Sequence, residues 1–212
     1  MDKMNRLFRW IMAVVLCWAT VGCDWIYDDP SEQPSTSDNG FAFIDATSYT
    51  QWVYLDLTLQ RQTTLYYEDT TEIPEEWHLA LHRYDVKTHE GSCYETDYSS
   101  LEKLTEDYRA GRFVLPSDDQ FVADESDSII IDMSTMMEGY LTKAPSKMNR
   151  VMGRWLSVDL STMPPIYTES GRVYLLRMAD ASLAAIRFTG YSNPNNYNMK
   201  GYISFDYIYP FE

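Results

Sequence analysis

The sequence predicts an all-β protein, a single β domain with minor helix. Three observations carry that expectation. Tyr (17) and Trp (6) are abundant in 212 residues, and with Val, Ile and Thr they suit a pleated, half-buried surface. Short runs of alternating apolar and polar residues recur along the chain, separated by Gly, Pro, Asn and Asp. Only one stretch, 98–111, has helical spacing, through Leu101, Leu104 and Tyr108. There is no sustained internal repeat and no sign of a second domain. Beyond the N-terminal leader about 190 residues remain, enough for one sizeable core.

Residues 1–22 read as a lipoprotein signal peptide. Lys3, Arg6 and Arg9 precede an apolar run from Trp10, too short to span a bilayer, which ends at Thr20-Val21-Gly22-Cys23. A Cys directly after Gly at that point is what lipid modification requires, so Cys23 is the expected acylated, palmitate-bearing first residue. Asp24, Asp28 and Asp29 follow it, as in the surface-export signals of some lipoproteins. Residues 23–40, rich in Pro, Ser and Asp, read as a lipidated flexible tether. The folded domain is expected over 41–212.

Within that domain residues 41–45 form the first expected strand, 50–58 the second and 62–67 its hairpin partner. Residues 76–88 (Glu-Trp-His-Leu-Ala-Leu-His-Arg-Tyr-Asp-Val-Lys-Thr) read as one strand. Trp77, Leu79 and Leu81 share one of its faces, His78, Ala80, His82 and Tyr84 the other. The helix over 98–111 has Ser99 or Ser100 as its cap and Gly111 as its end. Residues 113–115, 120–123 and 128–133 are short strand candidates, and the acidic run Asp124-Glu125-Ser126-Asp127 a solvated turn. Residues 173–178 and 183–188 make a hairpin around Ala179-Asp180-Ala181. Residues 193–196 are a loop. The last strand, 200–210, alternates cleanly, and Pro210 suits a sheet edge.

Charge and cysteine content narrow the function. The formal net charge is −15, and the leader carries three of the cations and one anion, which leaves −17 on the remainder. Nucleic-acid binding, which needs clustered Lys and Arg, is therefore not expected, nor is a basic face for anionic membranes. Cys17 leaves with the signal and Cys23 is acylated, so Cys93 has no intrachain disulfide partner and no cysteine zinc site forms. His78 and His82 would pair on a helix, but the stretch reads as a strand. No Gly-x-Ser-x-Gly, glycine-rich phosphate loop or His-Glu-x-x-His occurs. The chain is not expected to be an enzyme.

Methionine is unevenly placed. Six of eleven lie between 129 and 167: Met133, Met136, Met137, Met148, Met152 and Met163. Thioethers fill irregular gaps in cores, or they ligate soft metals and haem iron. Met136 and Met137 follow a β-branched run, where a strand ends and a loop begins. Met163 directly precedes Pro164-Pro165, which cannot continue a ladder. The spacing thus puts methionines in two loops of a β-structure.

Three stretches carry a family resemblance. Residues 77–88 resemble the W-D-x-A-x-H-R-Y-D-V core of HmuY-like haem-binding lipoproteins. Residues 155–167 resemble the segment that carries one axial haem ligand in that family. Residues 172–211, with Arg-Phe-Thr-Gly-Tyr and Lys-Gly-Tyr-Ile-Ser-Phe-Asp-Tyr-Ile-Tyr-Pro-Phe, are similar to its C-terminus throughout. The resemblance implies an antiparallel β fold of the HmuY type, a lipid anchor at the outer membrane exposed to the cell surface, and a hemophore role in iron acquisition. It also implies a haem (iron protoporphyrin IX) cofactor held between two loops by two axial side chains. The implied partners are host haemoproteins and a TonB-dependent haem receptor.

Some members of the family use two histidines and others two methionines. Leu160 stands at the position of the second histidine here, and the first-ligand loop holds Met133, Met136 and Met137 with no histidine. The resemblance therefore implies Met136 and Met163 as axial ligands, with Met137 as the competitor for the first position. Tyr140 and Tyr167 are implied contacts of ring or propionates. Met148 and Met152 are expected to stand apart from the site. A second reading is a carbohydrate- or protein-binding surface lipoprotein without haem, its methionines merely packing.

Overall fold

The computed structural model of the chain describes residues 39–212; the signal, Cys23 and the tether as far as residue 38 lie outside the described residues. Every strand pairing in it is antiparallel. One sheet of four joins β2 (Gln51–Asp56) to β3 (Arg61–Tyr66) and β4 (Leu79–His82), with β5 (Asp85–Thr88) outside β4. A sheet of six is built from β1 (Gly40–Asp45), β6 (Ser92–Glu95), β7 (Val122–Ala123), β12 (Val173–Arg177), β13 (Leu183–Asn193) and β14 (Met199–Ile208). Its order is β1-β14-β13-β12-β6-β7. Two hairpins complete the fold: β8 (Glu125–Asp132) with β9 (Thr142–Met148), and β10 (Leu156–Asp159) with β11 (Ile166–Glu169).

Three apolar clusters explain why both large sheets persist. The first fills the space between them. Val53, Leu55, Leu79, Leu81 and Val86 of the four-stranded sheet meet Tyr174, Leu176, Ile186, Phe188, Ile203, Phe205 and Tyr207 of the six-stranded one. The period-two side-chain alternation of strands sends the intervening residues to the outer faces, and those are covered too. Trp52, Tyr54 and Ala80 pack under Ile129 and Ala144 of the β8–β9 hairpin. Val173, Leu175 and Ala185 pack against Leu101 and Leu104. That last pair lies on α1 (Leu101–Arg109), whose N-cap Ser100 accepts the Lys103 N–H at 3.2 Å. β12 is buried on both faces, which is why its Val-Tyr-Leu-Leu run is continuously apolar.

The all-β expectation holds, and four local expectations are corrected. Residues 76–88 are not one strand. Arg83 takes φ 54° and turns the chain, so that β4 and β5 pair with His82 opposite Asp85. The acidic run 124–127 is not a solvated turn. Glu125 to Asp127 begin β8, and Arg150 pairs with Glu125 and Asp127, at 3.3 Å in each case. Residues 113–115 form no strand, because the N–H groups of Arg112 and Phe113 fold back to the Asp107 carbonyl at the end of α1. β14 is an interior strand between β1 and β13, and Pro210 lies just past its end.

Candidate functional site

The two methionine loops are the tips of the two small hairpins. Both tips open with the same local chemistry. At the end of β8, Asp132 Oδ1 accepts the backbone N–H of Ser134 at 2.8 Å and Oδ2 accepts its hydroxyl at 2.8 Å. At the end of β10, Asp159 Oδ1 accepts the backbone N–H of Ser161 at 2.8 Å. These are Asx turns, in which a carboxylate substitutes for the missing ladder partner. Hydrogen bonds from the Ser134 backbone and hydroxyl hold the Asp132 carboxyl below its usual range; the Ser161 hydroxyl and N–H do the same for Asp159.

The sequence behind this match is a five-residue recurrence. Asp132-Met133-Ser134-Thr135-Met136 in the first tip is repeated as Asp159-Leu160-Ser161-Thr162-Met163 in the second. Met136 and Met163 are therefore equivalent positions, each four residues past its turn-forming carboxylate. Met137 has no counterpart in the second tip. The recurrence is confined to these five residues of each loop.

After the shared turn the tips diverge. Met136 opens a short 3-10 turn, Met136–Glu138, closed by Gly139 at φ 84°, where the Gly139 N–H reaches the Met136 carbonyl at 3.0 Å. Thr135 Oγ1 ties back to the Tyr140 carbonyl at 3.2 Å. In the other tip the Met163-Pro164 bond is cis, and Thr162 Oγ1 donates to the Pro164 carbonyl at 3.1 Å.

Both tips expose apolar side chains, which folded surfaces seldom cluster without reason. Met136 is 44 % exposed, Met137 89 % and Met163 85 %. Tyr140, Leu141, Leu160 and Ile166 are exposed beside them. Leu141 and Ile166 were not foreseen as site residues; their signal is an apolar side chain in a loop flank with no core to join. Tyr167 differs. It is half-buried, with its ring 5.1 Å from that of Tyr191, and Lys200 Nζ stands 5.9 Å over it. The hairpin arrangement thus brings Met136, Met137 and Tyr140 into one tip and Met163 into the other, with Tyr167 on β11 behind it.

The remaining candidates are structural. Met152 is fully buried in the central core, and Met148, the last residue of β9, packs half-buried against the Trp52, Tyr54 and Ala80 cluster. His82 is fully buried, with Nε2 2.8 Å from the Tyr49 carbonyl and Nδ1 3.2 Å from Asp85. His78 Nδ1 accepts the Leu57 N–H at 3.1 Å, and His89 stacks on Trp77 with centroids 4.8 Å apart. Cys93 is buried, and burial pushes its thiol well above the ordinary range. Among the described residues no three His, Cys, Asp or Glu side chains gather as metal ligands. Met136, Met137 and Met163 add thioethers, soft and neutral donors, to the exposed hairpin tips.

Comparison with known proteins agrees with this architecture. Residues 48–207 match the family model described as HmuY protein. A solved structure from Bacteroides fragilis NCTC 9343, described as a lipoprotein, is 46 % identical. It covers 80 % of this chain and 88 % of its own, with a TM-score of 0.69. One from Bacteroides vulgatus ATCC 8482, described as a HmuY-like haem-binding protein, is 38 % identical. It covers 88 % of this chain and 97 % of its own, with a TM-score of 0.72. An apo HmuY analogue from Tannerella forsythia shares the fold at 24 % identity, a TM-score of 0.63, and coverage of 81 % and 97 %. No curated protein matches the chain. With most of its length matched to the family model, this chain belongs to the HmuY family.

Proposed function

We propose that this protein binds haem between its two methionine-bearing hairpin tips and catalyses no reaction. The observation that carries the reading is the paired Asp-x-Ser-Thr-Met turn. It presents one thioether from each tip at equivalent positions, in a chain whose 38 % identical relative is described as haem-binding. Met136 and Met163 would hold the iron axially. Met137, Tyr140, Leu160 and Tyr167 would contact the macrocycle or its propionates. Burying a planar apolar ring between the tips supplies most of the affinity, at about 25 cal/mol per Å² of apolar surface removed from water. A thioether suits Fe(II) better than Fe(III), so the reduced form is the preferred cargo.

The lipid anchor extends this reading. Cys23, acylated after cleavage at Gly22, would tether the domain to the outer membrane, facing outward. From there it would capture haem from host haemoproteins for a TonB-dependent receptor. An absorption titration with haem, first oxidised and then reduced with dithionite, tests the proposal. A saturable, sharp low-spin spectrum in the reduced titration is expected. No spectral change in either oxidation state would leave a haem-free surface lipoprotein as the better reading.

A further inference from the structure

Lys87 lies on β5, level with Ala80 on β4 and hence with Tyr54 on β2. The side chain lies along the aromatic outer face of the four-stranded sheet. Its Nζ stands 4.2 Å from the Trp52 ring centroid, 4.7 Å from that of Tyr54 and 5.8 Å from that of Trp77. It donates one hydrogen bond, to the Tyr54 hydroxyl at 3.0 Å. Among the described residues no carboxylate lies within 4.0 Å of it. The nearest acidic influence is Asp124, whose oxygens are taken by the Thr88 N–H and hydroxyl and by the Asn149 amide.

An amine so placed is poorly solvated, and loss of water disfavours its charged form. Burial pulls the Lys87 ammonium down to about 8, with Asp124 opposing. A cavity of about 400 Å³ opens beside it, walled by Trp77, Thr88, His89, Gly91, Asp124 and Lys147, with Glu90 also on its lining. A desolvated lysine beside an accessible hollow is the arrangement that makes amines nucleophilic near neutral pH.

We infer that Lys87 is a nucleophilic amine whose cavity admits small uncharged aldehydes and holds them as imines. The Nζ lone pair adds to the carbonyl carbon, the C=O π pair moves to oxygen, and the proton shed by nitrogen goes to that oxygen. The resulting carbinolamine loses its hydroxyl with a second nitrogen proton as water, and a C=N bond forms. One amine and one aldehyde give one imine and one water, with no change of oxidation state. Tyr54 assists: burial pushes its hydroxyl up to about 12, so it stays protonated and is a donor to the departing oxygen. The electron-rich faces of Trp52, Tyr54 and Trp77 favour a neutral or cationic adduct. Asp124 and Glu90 act in the same sense and outnumber Lys147 on the same wall. An anionic product, such as a carbamate or the imine of a keto acid, is disfavoured there.

The test treats the purified protein with propanal and sodium cyanoborohydride at pH 7.5 and follows each lysine by peptide mass spectrometry. At that pH an amine with a pKa of about 8 is roughly a quarter neutral, against about a thousandth for an ordinary lysine. After allowance for its weaker basicity and partial burial, Lys87 should be labelled at least tenfold faster than Lys143 or Lys200. The advantage should vanish in urea. Anionic glyoxylate should show no preference for Lys87. Lys87→Arg, which keeps a cation over the rings, should lose the fast adduct while its far-ultraviolet circular dichroism is unchanged. Labelling of Lys87 no faster than that of Lys143 and Lys200 in the folded protein would overturn the inference. So would a preference of glyoxylate for Lys87 as large as that of propanal.

Discussion

His78 Nδ1 accepts the backbone N–H of Leu57 at 3.1 Å, a bond that requires the ring nitrogen to be unprotonated. The same ring lies against Tyr209 with centroids 5.7 Å apart. Burial lowers the His78 pKa, while Asp56, Glu76 and Asp180 pull it back up. The folded state thus prefers the neutral ring. Its contribution to stability is fully present above the unfolded value of about 6.5 and is lost as pH falls through that value to the lower folded one. Urea midpoints should therefore drop between pH 7.5 and pH 5. His78→Asn keeps a local acceptor and does not titrate, so the drop should shrink in that variant. An equal drop in both proteins would assign the acid sensitivity elsewhere.

Asp124 is the polar tie between β5 and the loop that follows β9. It accepts the Thr88 N–H at 2.7 Å, the Thr88 hydroxyl at 2.9 Å and the Asn149 amide at 3.1 Å. Thr88 and Asn149 are buried, so their donors have no water to turn to. Asp124→Ala should cost about 2–4 kcal/mol of stability, and Asp124→Asn, which keeps one acceptor oxygen, clearly less. Denaturant unfolding of the two variants checks the order.

The same residue shows where local sequence reasoning reaches its limit. Asp124 to Asp127 look like a solvated acidic turn because the cations that meet them, Lys147 across the hairpin and Arg150 beyond it, are more than twenty residues away. Arg83 turns the chain without Gly, Asn or Pro, because its guanidinium reaches the Thr47 carbonyl at 2.8 Å and lies 4.6 Å over the Tyr49 ring. Such long-range contacts leave no local signature. β14 was legible because one face is buried and the other is not, so its alternation survives in the residues themselves. The methionines were legible as loop residues through the neighbouring Pro164 and the Ile129-Ile130-Ile131 run. Their equivalence is written in the five-residue recurrence, and the carboxylate turn that opens both loops gives that recurrence its structural meaning.

The proposed lipid anchor has a test of its own. Gly22-Cys23 follows the apolar leader, so Cys23→Ala should remove palmitate labelling and release the protein from the membrane fraction. Circular dichroism of the released domain should remain β-dominated. Unchanged fractionation with retained labelling would show that Cys23 is not the acylated residue.

The turns beneath the thioethers should matter more for ligand than for fold. Asp132 and Asp159 are exposed and hold only their own tips together. Asp132→Ala and Asp159→Ala should leave the urea midpoint close to that of the parent. Each should weaken ferrous haem binding by roughly threefold to tenfold, because the tip must then be ordered on binding. Both carboxyls sit below their usual range, so this ordering is present above about pH 4 and is lost as pH falls below it. Unaltered affinity in both variants would show that the turns do not position the sulfurs.

The thioethers themselves give the sharpest test. Met136 and Met163 occupy the same place in the repeated turn, and Met137 does not, so the first two should behave as a pair. Met136→Ala or Met163→Ala should convert the reduced haem spectrum from low-spin six-coordinate towards high-spin five-coordinate. Losing one axial bond leaves the apolar sandwich, so binding should weaken without disappearing, and the double variant should lose more than either single. Met137→Ala should leave the spectrum low-spin and cost affinity only through lost contact area. The control has to be chosen with burial in mind. Met152 is fully buried, and its truncation should cost about 2–5 kcal/mol of stability whatever its relation to haem. Met199, 48 % exposed on β14 and in neither tip, is the suitable one. An unchanged low-spin ferrous spectrum in the Met136/Met163 double variant would refute axial thioethers at these positions. Retention by the triple variant that also lacks Met137 would exclude all three. Met133, half-buried inside the first turn, would then be the next sulfur to remove.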